Sequence, residues 1–222
     1  MLEHLVDWEV SLFVNLITGR QLLRDKEDNV KERIIEASIK LFLAKGFAGT
    51  TTKELTDAAG VAKGTLYWHF SSKDRILEEL LEKFSCELYD AAFEEVNKCE
   101  GDFTAKFKVF YRFITEFARK KKDLLLVSST TMGEIAGTGS NAELKMRGIQ
   151  MKAHDFIKTL LDLGQKEGIV DRELDTNIQA HIIVANFVGM HLQWCLEGNS
   201  FDAAAYARAY RKTILRGLGI QQ

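Results

Sequence analysis

Residues Thr51 to Leu77 read TTKELTDAAGVAKGTLYWHFSSKDRIL, and this stretch decides the fold. Thr51 and Glu54 are spaced as a capping box, in which a threonine hydroxyl and a glutamate carboxylate satisfy each other's free backbone amides at a helix start. The helix that follows is expected to turn Leu55, Ala58 and Ala59 inward and to stop at Gly60. A second short helix is expected from about Ala62 to His69. Ser71 and Ser72 then offer caps for a longer helix with Ile76, Leu77, Leu80, Leu81, Phe84 and Leu88 on one side. Two short helices joined by a tight turn form a helix-turn-helix, which has little core of its own and leans on its neighbours. The neighbour upstream carries Ile34, Ile35, Ile39, Leu41 and Phe42 at helical spacing, with Asn29 as a candidate cap, and ends at Gly46.

The second short helix is unusual in its surface. Leu66 and Phe70 are four apart and should face inward, which leaves Lys63, Thr65, Tyr67, Trp68 and His69 on other faces. Gly64 and Thr65 are small enough for a backbone to approach a groove closely. Between Lys31 and Arg75 stand eight basic residues against five acidic ones, whereas the whole chain carries a net charge of −2. A local positive excess is what phosphate binding needs. The competing reading is that Tyr67 and Trp68 only pack the domain.

Three pieces, IIEASIKLFLAKGFAGTT, TDAAGVAKGTLYWHF and SSKDRIL, together resemble the DNA-binding domain of the TetR (tetracycline-repressor-like) family. The resemblance covers about a quarter of the chain. It implies an all-α protein with a three-helix DNA-binding domain, followed by a helical domain for ligand binding and dimerisation. It further implies that Thr51 and Thr52 meet phosphate at a helix N-terminus. Lys63, Gly64, Thr65 and Tyr67 would lie at or in the major groove, and His69 and Lys73 would hold backbone phosphates; Trp68 is a DNA-binding candidate from the helix surface alone. The family often has serine where this chain has Ala62, which removes one cap and one phosphate contact. Double-stranded operator DNA is the expected partner, repression the expected sense, and the cytoplasm the expected location.

The organisation read from the sequence is an N-terminal extension (1–28), a DNA-binding domain (29–75) and a helical effector-binding and dimerisation domain (76–222). Leu5, Val6, Leu12, Phe13, Leu16 and Ile17 make the extension an amphipathic helix, unless translation starts further on; Glu3, Asp7 and Glu9 argue against an export signal. Further helices are expected near Phe103 to Lys121, Asn141 to Lys166, Asp175 to Leu196 and Asp202 to Leu218, with Gly133, Gly137 and Gly139 in a loose connection. Phe107, Phe110, Phe113 and Phe117, with Met132, Met151, Asn186, Met190 and Trp194, are candidates to line a pocket for an apolar or aromatic effector; the alternative is that they are core. Ile182, Ala185 and Gly189 on one helix, and Tyr206, Tyr210 and Ile214 on the last, are candidates for a homodimer interface.

Composition supports an all-α chain: among 222 residues there is no proline, where average usage of ~5% predicts about eleven. Cys86, Cys99 and Cys195 are too scattered for a disulfide framework or a zinc site. His154, His181 and His191 lack ligand spacing, so no metal or cofactor is expected. No apolar run reaches the ~18 residues needed to span a bilayer. Two other classes compete with this reading. A small all-α enzyme would need a nucleophile with a base, a carboxylate pair or metal ligands, and none stands out. A helical adaptor for protein partners differs in its weak dependence on salt.

Overall fold

The computed structural model describes residues 29–220 as a bundle of ten α-helices. The expected amphipathic helix at residues 1–28 lies outside the described residues. The first helix, α1, spans 29–45 and buries Ile34, Ile35, Ile39 and Phe42. It stops where Gly46 takes the left-handed conformation (φ +76°). Thr51 and Glu54 form the capping box, and α2 (Thr52–Ala59) ends at Gly60, also left-handed (φ 63°, ψ 41°). Its inner face is Leu55 and Ala59, as expected, whereas Ala58 is exposed. Helix α3 (Lys63–His69) has no side-chain cap, because Ala62 has no hydroxyl to offer. Helix α4 (Lys73–Phe84) is capped by Ser72, whose hydroxyl accepts from the Arg75 amide at 3.2 Å.

A wider π turn, Ser85–Asp90, carries α4 without a break into α5 (Ala91–Lys98). Then come α6 (Phe103–Lys120), capped by Asp102, and α7 (Lys122–Ile135). No helix was read from the sequence between Lys122 and the glycines beyond it. The reason is the polar run Ser128, Ser129, Thr130 and Thr131. Each hydroxyl donates to the carbonyl four residues back, at 2.7–3.1 Å, and so hides its polarity within the helix.

Helix α8 (Asn141–Lys166) packs along α4, α6 and α9 (Thr176–Glu197). Close approach at its end depends on Gly164, where an added Cβ would lie 2.5 Å from Val170 and 2.9 Å from the Phe103 ring. A short 3-10 turn, Gly198–Ser200, leads to α10 (Ala203–Gly217). Residues His181 to Val188, HIIVANFV, are rich in β-branched side chains yet lie inside α9. None of the described helices is long and apolar enough to cross a membrane.

Candidate nucleic-acid interface

The turn between α2 and α3 is held from outside. The Arg33 guanidinium, on α1, donates to the carbonyls of Ala59 and Gly60, the latter at 3.0 Å. These are the free carbonyls at the C-terminal end of α2, where a cation is favoured. Leu66, fully buried, and Phe70 anchor α3 to the core. With Leu66 inward, the ~100° step between helix residues turns Lys63, Gly64, Tyr67 and Trp68 to solvent, and all four are exposed; Thr65 and His69 are half-buried on the flank. Trp68 is 66% exposed, which removes the reading that it packs the domain. Its ring meets the His69 ring edge to face, at 4.6 Å and 84°. The Lys63 ammonium lies 5.8 Å from the Tyr67 ring.

At the start of α2 the hydroxyl of Thr51 is engaged. It accepts from the Glu54 amide at 3.2 Å and donates to the Glu54 carboxylate at 2.9 Å. Hydrogen bonds from Lys45 first, then from the Thr51 amide and hydroxyl, pull the Glu54 carboxyl down to about 2. A carboxylate therefore already sits on the positive end of α2. Thr52, the first helical residue, is half-buried.

Lys73 occupies a place that its expected phosphate contact did not foresee. Its ammonium donates to the carbonyls of Phe47 at 2.7 Å and Thr50 at 2.8 Å, and lies 4.4 Å over the Phe47 ring. The amides of the same loop are taken by Glu134 of α7, which accepts from Phe47 and Ala48, each at 2.9 Å. The α1–α2 loop is thus pinned by a cation on its carbonyls and an anion on its amides. Glu134 is 87 residues from Phe47 and carries no local signal, so sequence reasoning missed it.

The basic excess of this region is also mostly consumed within the chain. Lys31 pairs with Glu79, Lys45 with Glu54, Lys53 with Asp57 and Arg75 with Glu78, while Arg33 and Lys73 hold carbonyls. Lys40 and Lys63 have no such partner among the described residues.

The other expected residues divide. Phe107 lines a groove between α6 and α10, and Met190 and Trp194 line a smaller cavity next to it. Phe110, Phe113, Phe117, Met132, Met151 and Asn186 line neither. Phe110 and Phe117 fall on the stripe of α6 that enters the core, where Phe110 meets Phe156 and Phe187, and Phe117 meets Phe84. Phe113 and Met132 pack on the edge of that core. Met151 is exposed on α8, and Asn186 donates to the Tyr206 hydroxyl at 3.2 Å. For the interface candidates, Ile182 is 52% exposed, Ala185 is exposed and Gly189 half-buried. Tyr206, Tyr210 and Ile214 instead complete the chain's own packing: Tyr210 lies 6.0 Å from the Phe187 ring, and Ile214 is buried. The described residues hold no cluster of three or more metal-ligating side chains.

The family described as "Bacterial regulatory proteins, tetR family" matches residues 34–80, which run from the buried face of α1 through the helix-turn-helix into α4. The chain belongs to the TetR family. This TetR-family regulator is 21% identical over 195 residues to the HTH-type transcriptional repressor KstR2 of Mycolicibacterium smegmatis, covering 85% of this chain and 90% of the relative. Its fold matches the MbdR regulator from Azoarcus sp. CIB with a TM-score of 0.77 at 24% identity, covering 85% and 98% of the two chains. It also matches FadR from Bacillus subtilis, solved in complex with stearoyl-CoA, with a TM-score of 0.70 at 18% identity over 84% and 96%. The helical arrangement after α4 is therefore that of TetR-family regulators, although the family match itself ends at residue 80.

Proposed function

We propose that this regulator is a cytoplasmic homodimer that represses transcription by gripping operator DNA with the outer face of α3, and that it lets go when a small apolar or aromatic effector binds. The DNA-binding unit is residues 29–75, and residues 76–222 carry the effector site and the dimer contact. The chain works by binding, without a reaction of its own. One observation carries the reading: the exposed face of α3 combines Tyr67 and Trp68, both large and in water, with a glycine the chain itself does not need. A Cβ on Gly64 would meet nothing within 4 Å. A helix glycine costs about 1 kcal/mol against alanine, so a partner that fits against the helix supplies its purpose.

In this reading Lys63 and Thr65 reach base edges, with Gly64 allowing the approach, and Tyr67 and Trp68 fill the groove wall. His69 and Thr52 meet phosphates, while Thr51, whose hydroxyl and amide are taken by Glu54, shapes the start of α2. Lys73 serves by fixing the loop that carries α2. The dimer is supported by α9, where Ile178, Ile182, Ala185 and the half-buried Gly189 run at i, i+4, i+7 and i+11, and the exposed Leu192 and Leu196 extend the line. A stripe of that length suits an isologous contact with a second copy. A small-molecule effector is supported by the FadR relative, whose structure holds stearoyl-CoA.

The test is selection of duplexes from a random pool by the purified protein. The retained sequences should contain two related half-sites about 34–36 Å apart, as a two-fold dimer requires. Tyr67→Ala should weaken binding to them by tenfold or more, about 1.4 kcal/mol, with the melting temperature unchanged. Retention of no sequence above the random pool would count against the reading.

A further inference from the structure

The flank of α6 faces α10 across an open groove of about 900 Å³. On α6, Thr104, Lys108, Tyr111 and Thr115 follow one another at i, i+4, i+7 and i+11. On α10, Ala204, Arg208, Arg211 and Leu215 follow the same spacing, so two matched stripes form the walls. The floor is apolar: Val109, Leu215 and Ile220 are half-buried there, and Phe103 and Phe107 beside them are buried. The rim carries four cations: Lys108, Arg112, Arg208 and Arg211. The acid that lines the groove, Glu116, pairs with Lys120 at 3.3 Å. None of the four cations has a carboxylate partner among the described residues. A smaller cavity of about 290 Å³ shares Tyr111 and Ala207 with the groove and continues it towards Met190 and Trp194. Where the two meet, the Tyr111 hydroxyl donates to the Ala207 carbonyl and ties α6 to α10.

Four like charges around one trough repel each other and lower stability unless an anion joins them. A site for an inorganic anion alone has no use for an apolar floor. A site for a hydrocarbon alone has no use for three guanidinium groups, whose planar forks suit phosphate oxygens bidentately. Both features are satisfied together by one kind of molecule. We propose that this groove binds an amphipathic anion, an apolar chain with a phosphate-bearing head, with the chain on Val109, Leu215 and Ile220 and the phosphates on Arg112, Arg208 and Arg211. The inference rests on the effector reading above and narrows it: the effector is apolar in its body and anionic at its head.

The same chemistry comes from an acyl coenzyme A thioester or from a lysophospholipid, and calorimetry with the full chain distinguishes them. The probes are dodecanoyl coenzyme A, dodecanoyl lysophosphatidate, coenzyme A and dodecanol. At least one of the two acylated phosphates should bind, and the tighter one names the source. Coenzyme A and dodecanol should each bind at least about tenfold more weakly than the acylated phosphate that matches. Arg112→Gln with Arg208→Gln should weaken that binding by about a hundredfold, about tenfold for each charge-assisted bond lost, and leave dodecanol unaffected. Lys212→Gln, on α10 outside the groove, should change nothing, and melting curves establish that each variant is folded. Dodecanol binding as tightly as both acylated phosphates, no binding of either, or an indifferent double variant would overturn the proposal. The selected operator DNA separates this outcome from failure of the regulator reading. Operator bound by the protein and released by dodecanol but by neither anion sinks the groove proposal alone. Anion binding to a protein that retains no operator sinks the repressor reading alone.

Discussion

Of the eight cations between Lys31 and Arg75, six hold carboxylates or carbonyls of their own chain. Around the α6–α10 groove, Lys108, Arg112, Arg208 and Arg211 have no carboxylate partner among the described residues. The same contrast holds for buried polar atoms. Among the described residues, the buried side-chain atoms left without a partner, His191 Nε2 and the Tyr210 hydroxyl, both belong to the C-terminal helices. Net charge along a segment therefore does not measure the charge it can offer. The helix-turn-helix region spends most of its cations within the chain, four of them on α2 and its loop and two on α4, and keeps few free charges. Elsewhere in the C-terminal helices Lys145, Arg147, Lys152 and Lys158 are paired, so it is the α6–α10 groove that leaves its cations unspent, as a site does when part of its satisfaction comes from another molecule.

The contrast can be sharpened first at His191, for which the largest effect is expected. Its Nδ1 lies 3.1 Å from the Ser129 hydroxyl, its Nε2 has no partner, and burial pushes the imidazole down to about 4 from an ordinary 6.5. As pH falls through 6.5 the unfolded chain takes up a proton that the folded chain refuses until about 4. Stability should thus be full above pH 6.5 and decline by about 3 kcal/mol between 6.5 and 4. Urea unfolding at steps across that window measures the decline, and His191→Leu should flatten it. A profile unchanged by His191→Leu would place the acid sensitivity elsewhere.

Next in size is the division between spent and free lysines. Lys73→Met leaves the carbonyls of Phe47 and Thr50 without a donor and should cost about 2 kcal/mol of stability. The salt dependence of DNA binding should keep its slope. Lys63→Met should do the reverse: stability within about 0.5 kcal/mol of the parent, and a salt slope lower by about one ion. If Lys73→Met lowers the slope while stability holds, Lys73 is a phosphate contact after all, and the loop pin is secondary.

The smallest effect is expected at the groove. Arg211→Gln removes one of four neighbouring positive charges, so the unfolding free energy should stay constant or rise by up to about 0.5 kcal/mol at low salt. A clear loss of stability would mean that Arg211 has an internal role like that of Arg33, and that the two regions differ less than their partners suggest.

The helix-turn-helix was legible in the sequence because its signals act within a turn or two of chain. The pairing of Thr51 with Glu54, the left-handed stop at Gly60, the cap at Ser72 and the inward pair Leu66 and Phe70 each follow from residues a few places apart. The boundaries of α8, α9 and α10 were legible for the same reason. The sequence alone could not say which side of a long apolar helix meets which neighbour. Phe107 and Phe110 share α6, a residue type and a place in the core, yet only Phe107 also borders the groove, because their directions differ by most of a quadrant. Tyr206, Tyr210 and Ile214 made a broad stripe on the last helix, but the packing of α10 against α9 turns that stripe inward and leaves Ile178, Ile182 and Ala185 outside. Only the tertiary structure brings Glu134 to the amides of Phe47 and Ala48, and Lys108 and Arg112 opposite Arg208 and Arg211. Local hydrogen bonding and periodicity are written in neighbouring residues, whereas charge pairing and cavities depend on distances that exist only after distant helices have packed.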